Sequence, residues 1–147
     1  MTRMVWMAGL LALGLGGTLA TGTAGAQTDP VAQRRDEMKR LGAHLEAIKK
    51  IVDAGEPVGP IEARAEEMRG YFATLPTLFP PGSTEGSKAL PAVWSDRAGF
   101  EQAAANATAA AAKLAAAAGS NDAAATATAF REVAGSCGAC HRNFRGR

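Results

Sequence analysis

Alanine dominates the chain between residues 103 and 129, where mainly small polar residues interrupt it. Alanine has the highest helix propensity of the amino acids, so this stretch predicts helices rather than sheet. Its methyl side chains let two helices approach closely, but they provide little volume with which to fill a core. A helical bundle built on such a stretch therefore needs another group to occupy its interior.

Residues 30–52 have the pattern of an amphipathic helix. Asp29 followed by Pro30 is a typical helix start, because Asp caps the first turn and Pro fits the first helical position. Gly55 and Pro57 predict its end. Apolar residues recur at heptad spacing between these signals: Val31, Met38, Leu41, Leu45, Ile48 and Val52. This heptad seam predicts one buried face, as in a bundle helix.

The second predicted helix begins near Gly59 and Pro60 and ends at Leu75 and Pro76. Residues 75–94 contain several prolines and no long periodicity, which predicts a crossover loop.

The third predicted helix begins near Ser95 and ends at Gly119, and the fourth is capped by Asn121 or Asp122 and runs to about Phe144. No segment shows the alternation typical of a strand. Two short connections and one long one predict an all-α fold, an antiparallel four-helix bundle with a long crossover loop.

Residues 1–26 have the features of a secretory signal peptide. Arg3 provides a positive start, an uncharged apolar stretch follows, and an Ala-Gly-Ala cleavage signal ends at Ala26. The alternative is an uncleaved membrane anchor, which the short and glycine-rich apolar stretch disfavours. The sequence predicts cleavage after Ala26, an exported domain over residues 27–147, and no membrane association after cleavage.

The composition argues against several other classes of protein. Lys plus Arg is 16 against 14 for Asp plus Glu, and no basic block is present, which argues against nucleic-acid binding. Two cysteines cannot form a disulfide-rich scaffold. No acid–base pair or nucleophile–base set indicates an enzyme.

Cys137, Cys140 and His141 form a C-x-x-C-H pattern near the C-terminus. This is the attachment pattern of c-type haem. The two thiols add to the vinyl groups of haem as thioethers, and the imidazole that follows ligates the iron. On a helix the three side chains lie close together, because they are three and four positions apart. The sequence therefore predicts one covalent haem c, buried between helices whose alanines leave room for it.

Three other interpretations use the same residues. A redox-active cysteine pair normally belongs to a thioredoxin-like unit with strands, and no strand pattern is present. A zinc site would need further ligands, and His44 is the only other histidine. An inert pair of thiols is at odds with an oxidising compartment.

A C-x-x-C-H pattern at the end of a four-helix bundle resembles the class II cytochromes c, the cytochrome c′ family. The resemblance extends over Arg34 to Ile48, Leu75 to Pro80, Trp94 to Phe100 and Cys137 to Arg145. Phe144 departs from it, because many members have a tyrosine there that can form a hydrogen bond. The resemblance implies haem between the helices, periplasmic electron transport with redox protein partners and, in many members, a homodimer.

The resemblance also assigns a role to Met38, which lies where low-spin members place a ligating methionine. High-spin members have an apolar residue there and a five-coordinate iron. We expect Met38 to be the sixth iron ligand with His141 as the fifth, although a seam methionine also fits simple core packing. Arg34 is one turn earlier, and it is expected either to pair with a haem propionate or to be solvated. His44 lies off the seam and is expected at the surface.

Two functions remain open at this point. The main expectation is a one-electron carrier whose iron is held by His141 and Met38 and opens no further site. The alternative is a five-coordinate, high-spin haem protein that binds nitric oxide or carbon monoxide.

Overall fold

The computed structural model describes residues 29–147. The regular secondary structure of these residues consists of helices, with no β-strand among them. The helices are α1 (Pro30–Ala54), α2 (Ile61–Thr74), α3 (Ala92–Ser95), α4 (Arg97–Gly119) and α5 (Ala123–Phe144). Within the described range, no helix is both long enough and apolar enough to cross a membrane. The predicted signal peptide lies outside the described residues, so its cleavage stays a prediction.

The helix boundaries follow the capping signals in the sequence. The Asp29 side chain accepts a hydrogen bond from the backbone N–H of Val31 at 2.9 Å, and Gly55 ends α1 in the left-handed conformation. Asp96 and Asp122 cap α4 and α5 by accepting from backbone N–H groups in the first turn. These side chains satisfy donors that a helix start leaves without a partner, and the predicted starts are confirmed within two residues.

The alanine-rich helix α4 makes the most extensive helix contacts in the bundle, because it packs along both α2 and α5. Its buried residues are Phe100, Ala104, Ala107, Ala110, Ala111, Leu114, Ala115 and Ala118. Short turns join α1 to α2 and α4 to α5, so the members of each pair run antiparallel. The predicted four-helix bundle is confirmed. Helix α1 contacts α2 and α5 much less extensively than α4 does, which leaves space beside it.

The connection between α2 and α4 is more structured than the predicted loop. It begins with the 3₁₀ turn Leu75–Leu78 and also contains α3. Two backbone hydrogen bonds attach it to the end of the chain: Leu90 N–H donates to Phe144 at 3.0 Å, and Gly146 N–H donates to Lys88 at 2.7 Å. The crossover is thereby fixed beside the C-terminal end of α5, where the C-x-x-C-H pattern lies.

Candidate haem-binding site

A cavity of about 750 Å³ lies between α1, the crossover and the C-terminal end of α5. Its volume falls in the range of cofactor sites, about 300–1,000 Å³. Its apolar walls consist of Val31, Met38, Leu75, Phe79, Ala89, Val93, Phe100 and Phe144. The rings of Phe79, Phe100 and Phe144 pack edge to face, with centroids 4.8 and 5.4 Å apart, and so make a rigid aromatic wall.

Helix α5 brings the C-x-x-C-H pattern to this cavity. Cys140 and His141 line it, and Cys137 is half-buried one turn earlier, where it packs against the hydrophobic core. Both cysteines are free thiols. Burial raises the pKa of both thiols, so they remain protonated at neutral pH. Net addition of a thiol's sulfur and hydrogen across a vinyl group gives a thioether, so these two cysteines would hold the ring of haem c.

The imidazole of His141 is in the protonation state that binds a metal. Its partial burial lowers its pKa, and the positive charge of Arg145 lowers that pKa further. Both effects favour the neutral ring, whose nitrogen lone pair can ligate iron. Arg145 is four residues later and also lines the cavity.

The charged side chains that line the cavity suit the two anionic propionates of haem. Five cationic residues line it, namely Arg34, Arg35, Lys39, Lys88 and Arg145, and no carboxylate of residues 29–147 is among its lining side chains. Haem combines an apolar ring with two anionic propionates, so aromatic walls and a cationic mouth suit it. Together with two thiols and a neutral imidazole, the cavity fits haem c.

The zinc interpretation finds no support in the described part of the chain. No group of three or more His, Cys, Asp or Glu side chains there could hold a metal ion.

Met38 lies in the α1 wall of the same cavity as His141, so the structure brings together the two residues predicted as axial ligands. Its side chain is half-buried and packs against the hydrophobic core. This placement agrees with ligation and with core packing alike. The assignment of Met38 as a ligand therefore stays a prediction.

Arg34 is buried, with only 5% of its surface exposed, so the solvated alternative is wrong. Its guanidinium donates to the carbonyl of Leu78 at 2.9 Å, to Ser83 Oγ at 2.9 Å and to the Ser83 carbonyl at 2.8 Å. It also lies 4.2 Å above the Phe79 ring. Arg34 thus fastens the crossover to α1. Three of its five N–H donors are used in this way, and pairing of the others with a propionate stays a prediction.

We expect Arg34→Leu to destabilise the holoprotein by about 2–4 kcal/mol, because the carbonyls of Leu78 and Ser83 lose a charged donor in a partly buried place. Thermal or urea unfolding measures this. Arg35→Leu is the matched control, since exposed Arg35 donates only one bond, of 3.2 Å, to the Gly86 carbonyl. Equal destabilisation by the two variants would contradict the role assigned to Arg34.

The expectation that His44 lies at the surface is wrong. Only 8% of its surface is exposed, because α1 packs this face against α2. Its Nε2 lies 3.1 Å from a carboxylate oxygen of Glu67 on α2, without the orientation of a hydrogen bond. Since His44 does not line the haem cavity, the expectation that it is not a ligand agrees with its position.

Tyr71 is a residue that the sequence reasoning missed. It is buried, its hydroxyl has no hydrogen-bond partner, and burial together with the charge of Glu37 raises its pKa. Its burial could have been predicted from the sequence, because Tyr71 lies three residues after Met68 on the buried face of α2. Tyr71 is therefore a neutral packing residue between the first two helices.

Comparison with known proteins gives the family. Residues 29–145 match the sequence pattern described as Cytochrome C′. The chain belongs to the cytochrome c′ family. Members of this family carry covalent haem c, so the cofactor predicted from Cys137, Cys140 and His141 is confirmed.

Two relatives and one solved protein illustrate the similarity. Cytochrome c-556 of Agrobacterium tumefaciens (strain II Chrys) is 32% identical over 117 residues, which cover 78% of this chain and 95% of the relative. Cytochrome c′ of Rhodopseudomonas palustris is 32% identical over 149 residues, which cover 99% and 97%. A nitric oxide complex of a variant of cytochrome c prime from Alcaligenes xylosoxidans is 31% identical, with a TM-score of 0.74 over 81% of this chain and 94% of that one. That protein has also been solved as a variant with carbon monoxide bound.

Proposed function

We propose that this family member binds a diatomic gas, nitric oxide or carbon monoxide, at its haem iron on the side of α1. The observation that carries the proposal is the composition of the α1 wall. This wall presents no imidazole and no carboxylate to the cavity, and a thioether, that of Met38, is its one soft ligand atom. Such a wall either leaves one face of the iron free or covers it with a ligand that a gas can displace.

The likeness to cytochrome c prime from Alcaligenes xylosoxidans supports this proposal, because variants of that protein were solved with nitric oxide and with carbon monoxide. When bound, haem supplies an iron that changes between the ferric and ferrous states and accepts an axial ligand. The residues of this chain provide the rest. Cys137 and Cys140 would hold the ring, His141 would provide a ligand to the iron from α5, and the aromatic wall would give the ring an apolar surface.

Titration of the chemically reduced holoprotein with carbon monoxide tests the gas-binding proposal. We expect a saturable change in the haem absorption spectrum with one gas molecule bound per haem. The matched reference is the reduced protein under argon, measured over the same time. A spectrum unchanged at saturating carbon monoxide would contradict the proposal.

The second candidate function is one-electron transport with His/Met ligation, and the place of Met38 in the cavity wall favours it. A thioether is a soft ligand, and His/Met ligation raises the reduction potential of haem iron. The two candidates differ in the resting ferric protein, which is low-spin and six-coordinate if sulfur is bound. Neither candidate is an enzymatic reaction, since both need only ligand binding or electron exchange at the iron.

The cellular setting is part of the same proposal. Export to the periplasm through the signal peptide of residues 1–26 is consistent with covalent haem attachment to Cys137 and Cys140. A homodimer is the assembly that the family resemblance implies.

A further inference from the structure

The charged side chains that line the cavity are of one sign. The cavity lies at the end where α1 begins and α5 finishes, and the five cationic residues of its lining lie there. At the other end, the α1–α2 turn lies beside the α4–α5 turn, because a side chain added at Gly59 would lie 3.3 Å from Asn121. Carboxylates flank these two turns: Glu56, Glu62 and Asp122, and also Asp53, which is paired with Lys49.

Two of the cations at the cavity mouth are exposed and available to contact another molecule. The side chains of Lys88 and Arg145 are exposed, and neither forms an ion pair within residues 29–147. Arg35 is also exposed and donates only to a backbone carbonyl. Lys39, in contrast, is paired with Asp36 at 3.3 Å. Arg35, Lys88 and Arg145 thus present positive charge at the mouth that no ion pair within residues 29–147 neutralises.

Bound haem does not cancel this charge. Its two propionates are fewer than the five cations of the lining, and buried Arg34 already directs three of its donors to the crossover. A mouth of one charge sign around a low-dielectric cavity concentrates the electric field and steers ions of the opposite sign towards it. The opening of the haem cavity therefore attracts molecules that are negatively charged.

We propose that this cationic mouth, formed by Arg35, Lys88 and Arg145, is the docking surface for an acidic redox protein that reduces the haem. The inference rests on the proposed function in one respect: gas binding to ferrous iron and electron transport both require ferric iron to gain an electron. The partner's redox centre loses one electron and the haem iron gains it, and no bond forms or breaks. An acidic protein face is favoured over an anionic membrane because the cations surround a recess, into which a protruding acidic face fits better than a flat bilayer.

Calorimetric titration of the ferric holoprotein with a plant-type ferredoxin, an acidic one-electron carrier, tests the docking surface. We expect saturable binding at low salt that weakens about tenfold or more as the ionic strength is raised from 0.01 to about 0.15 M, because salt screens such contacts. Lys88→Glu/Arg145→Glu should weaken the binding at least about tenfold. The rate of haem reduction by reduced ferredoxin should fall in parallel.

Lys49→Glu/Lys50→Glu is the matched control, because it makes the same change of charge on the exposed surface of α1 near the other end of the bundle. It should bind ferredoxin nearly as tightly as the unaltered protein. Equal weakening by the two double variants, or no binding by the unaltered protein at low salt, would overturn the proposal. An unchanged haem spectrum in each variant shows that the cavity is intact.

Sedimentation with vesicles of phosphatidylglycerol and phosphatidylcholine in equal parts distinguishes docking of an acidic protein from binding to an anionic membrane. We expect the holoprotein to remain in the supernatant. Co-sedimentation that Lys88→Glu/Arg145→Glu abolishes would assign the cationic mouth to an anionic lipid surface and overturn the proposal. Carbon monoxide binding to the chemically reduced protein needs no partner, so a failure of the gas-binding proposal is recognised separately.

Discussion

The variant Cys137→Ala/Cys140→Ala should be recovered without covalent haem, and its intact mass should equal that of the polypeptide alone. The thioether bonds have no other thiols from which to form, because these are the only cysteines of the chain. Without a bound ring, the cavity of about 750 Å³ loses the group that fits it. We expect the free energy of unfolding to fall by at least about 4 kcal/mol, as for the loss of a ligand present at 1,000 times its dissociation constant.

Ser136→Ala is the control for this variant, because Ser136 precedes the motif, supplies no thiol and donates its hydroxyl to the carbonyl of Val133. It should retain full haem attachment. Each single cysteine variant should show weakened attachment. A double variant that still carries covalent haem would refute the assignment. Intact mass also reports the first residue of exported protein, which should be Gln27.

The variant Met38→Ala should bind carbon monoxide about tenfold faster than the unaltered protein when both are reduced. Met38 lies in the α1 wall of the haem cavity, where the gas is proposed to bind. A thioether that must move aside at a cost of about 1.4 kcal/mol accounts for a factor of ten. Stopped-flow mixing with carbon monoxide measures the rate, and the ferric absorption spectrum gives the spin state.

Leu45→Ala is the matched control, because Leu45 lies one heptad later on the same seam, packs against the core and does not line the cavity. Both variants lose packing, but only Met38→Ala should change gas binding. Conversion of a low-spin ferric spectrum to a high-spin one in Met38→Ala would establish sulfur ligation and favour the electron carrier. A high-spin spectrum in both proteins would show that Met38 only packs over the iron. Equal carbon monoxide rates in all three proteins would remove Met38 from the gas site.

Capping residues in the sequence were sufficient to predict where the helices begin and end. Asp29, Asp96 and Asp122 mark the helix starts because a capping carboxylate acts on backbone donors two or three residues away. Gly55 marks an end because it adopts the left-handed conformation at little cost. The crossover was less predictable, since α3 and the 3₁₀ turn depend on contacts with distant helices.

His44 shows where periodicity fails. It lies off the heptad seam, which assumes a single buried face, yet α1 packs against α2 on one side and α5 on the other. Two neighbours bury two faces, so a residue outside the seam becomes buried as well.

The sequence by itself determined the haem attachment, because Cys137, Cys140 and His141 lie within one helical turn and their chemistry depends on that local spacing. It also determined the all-α class through composition and caps. Only the tertiary structure decided the rest of the site. Arg34 and Ser83 lie 49 residues apart, and their contact exists because the crossover folds back over α1. Lys88 and Arg145 likewise lie beside each other at the cavity because Gly146 N–H donates to the Lys88 carbonyl and Leu90 N–H donates to that of Phe144. No local pattern encodes this long-range pairing.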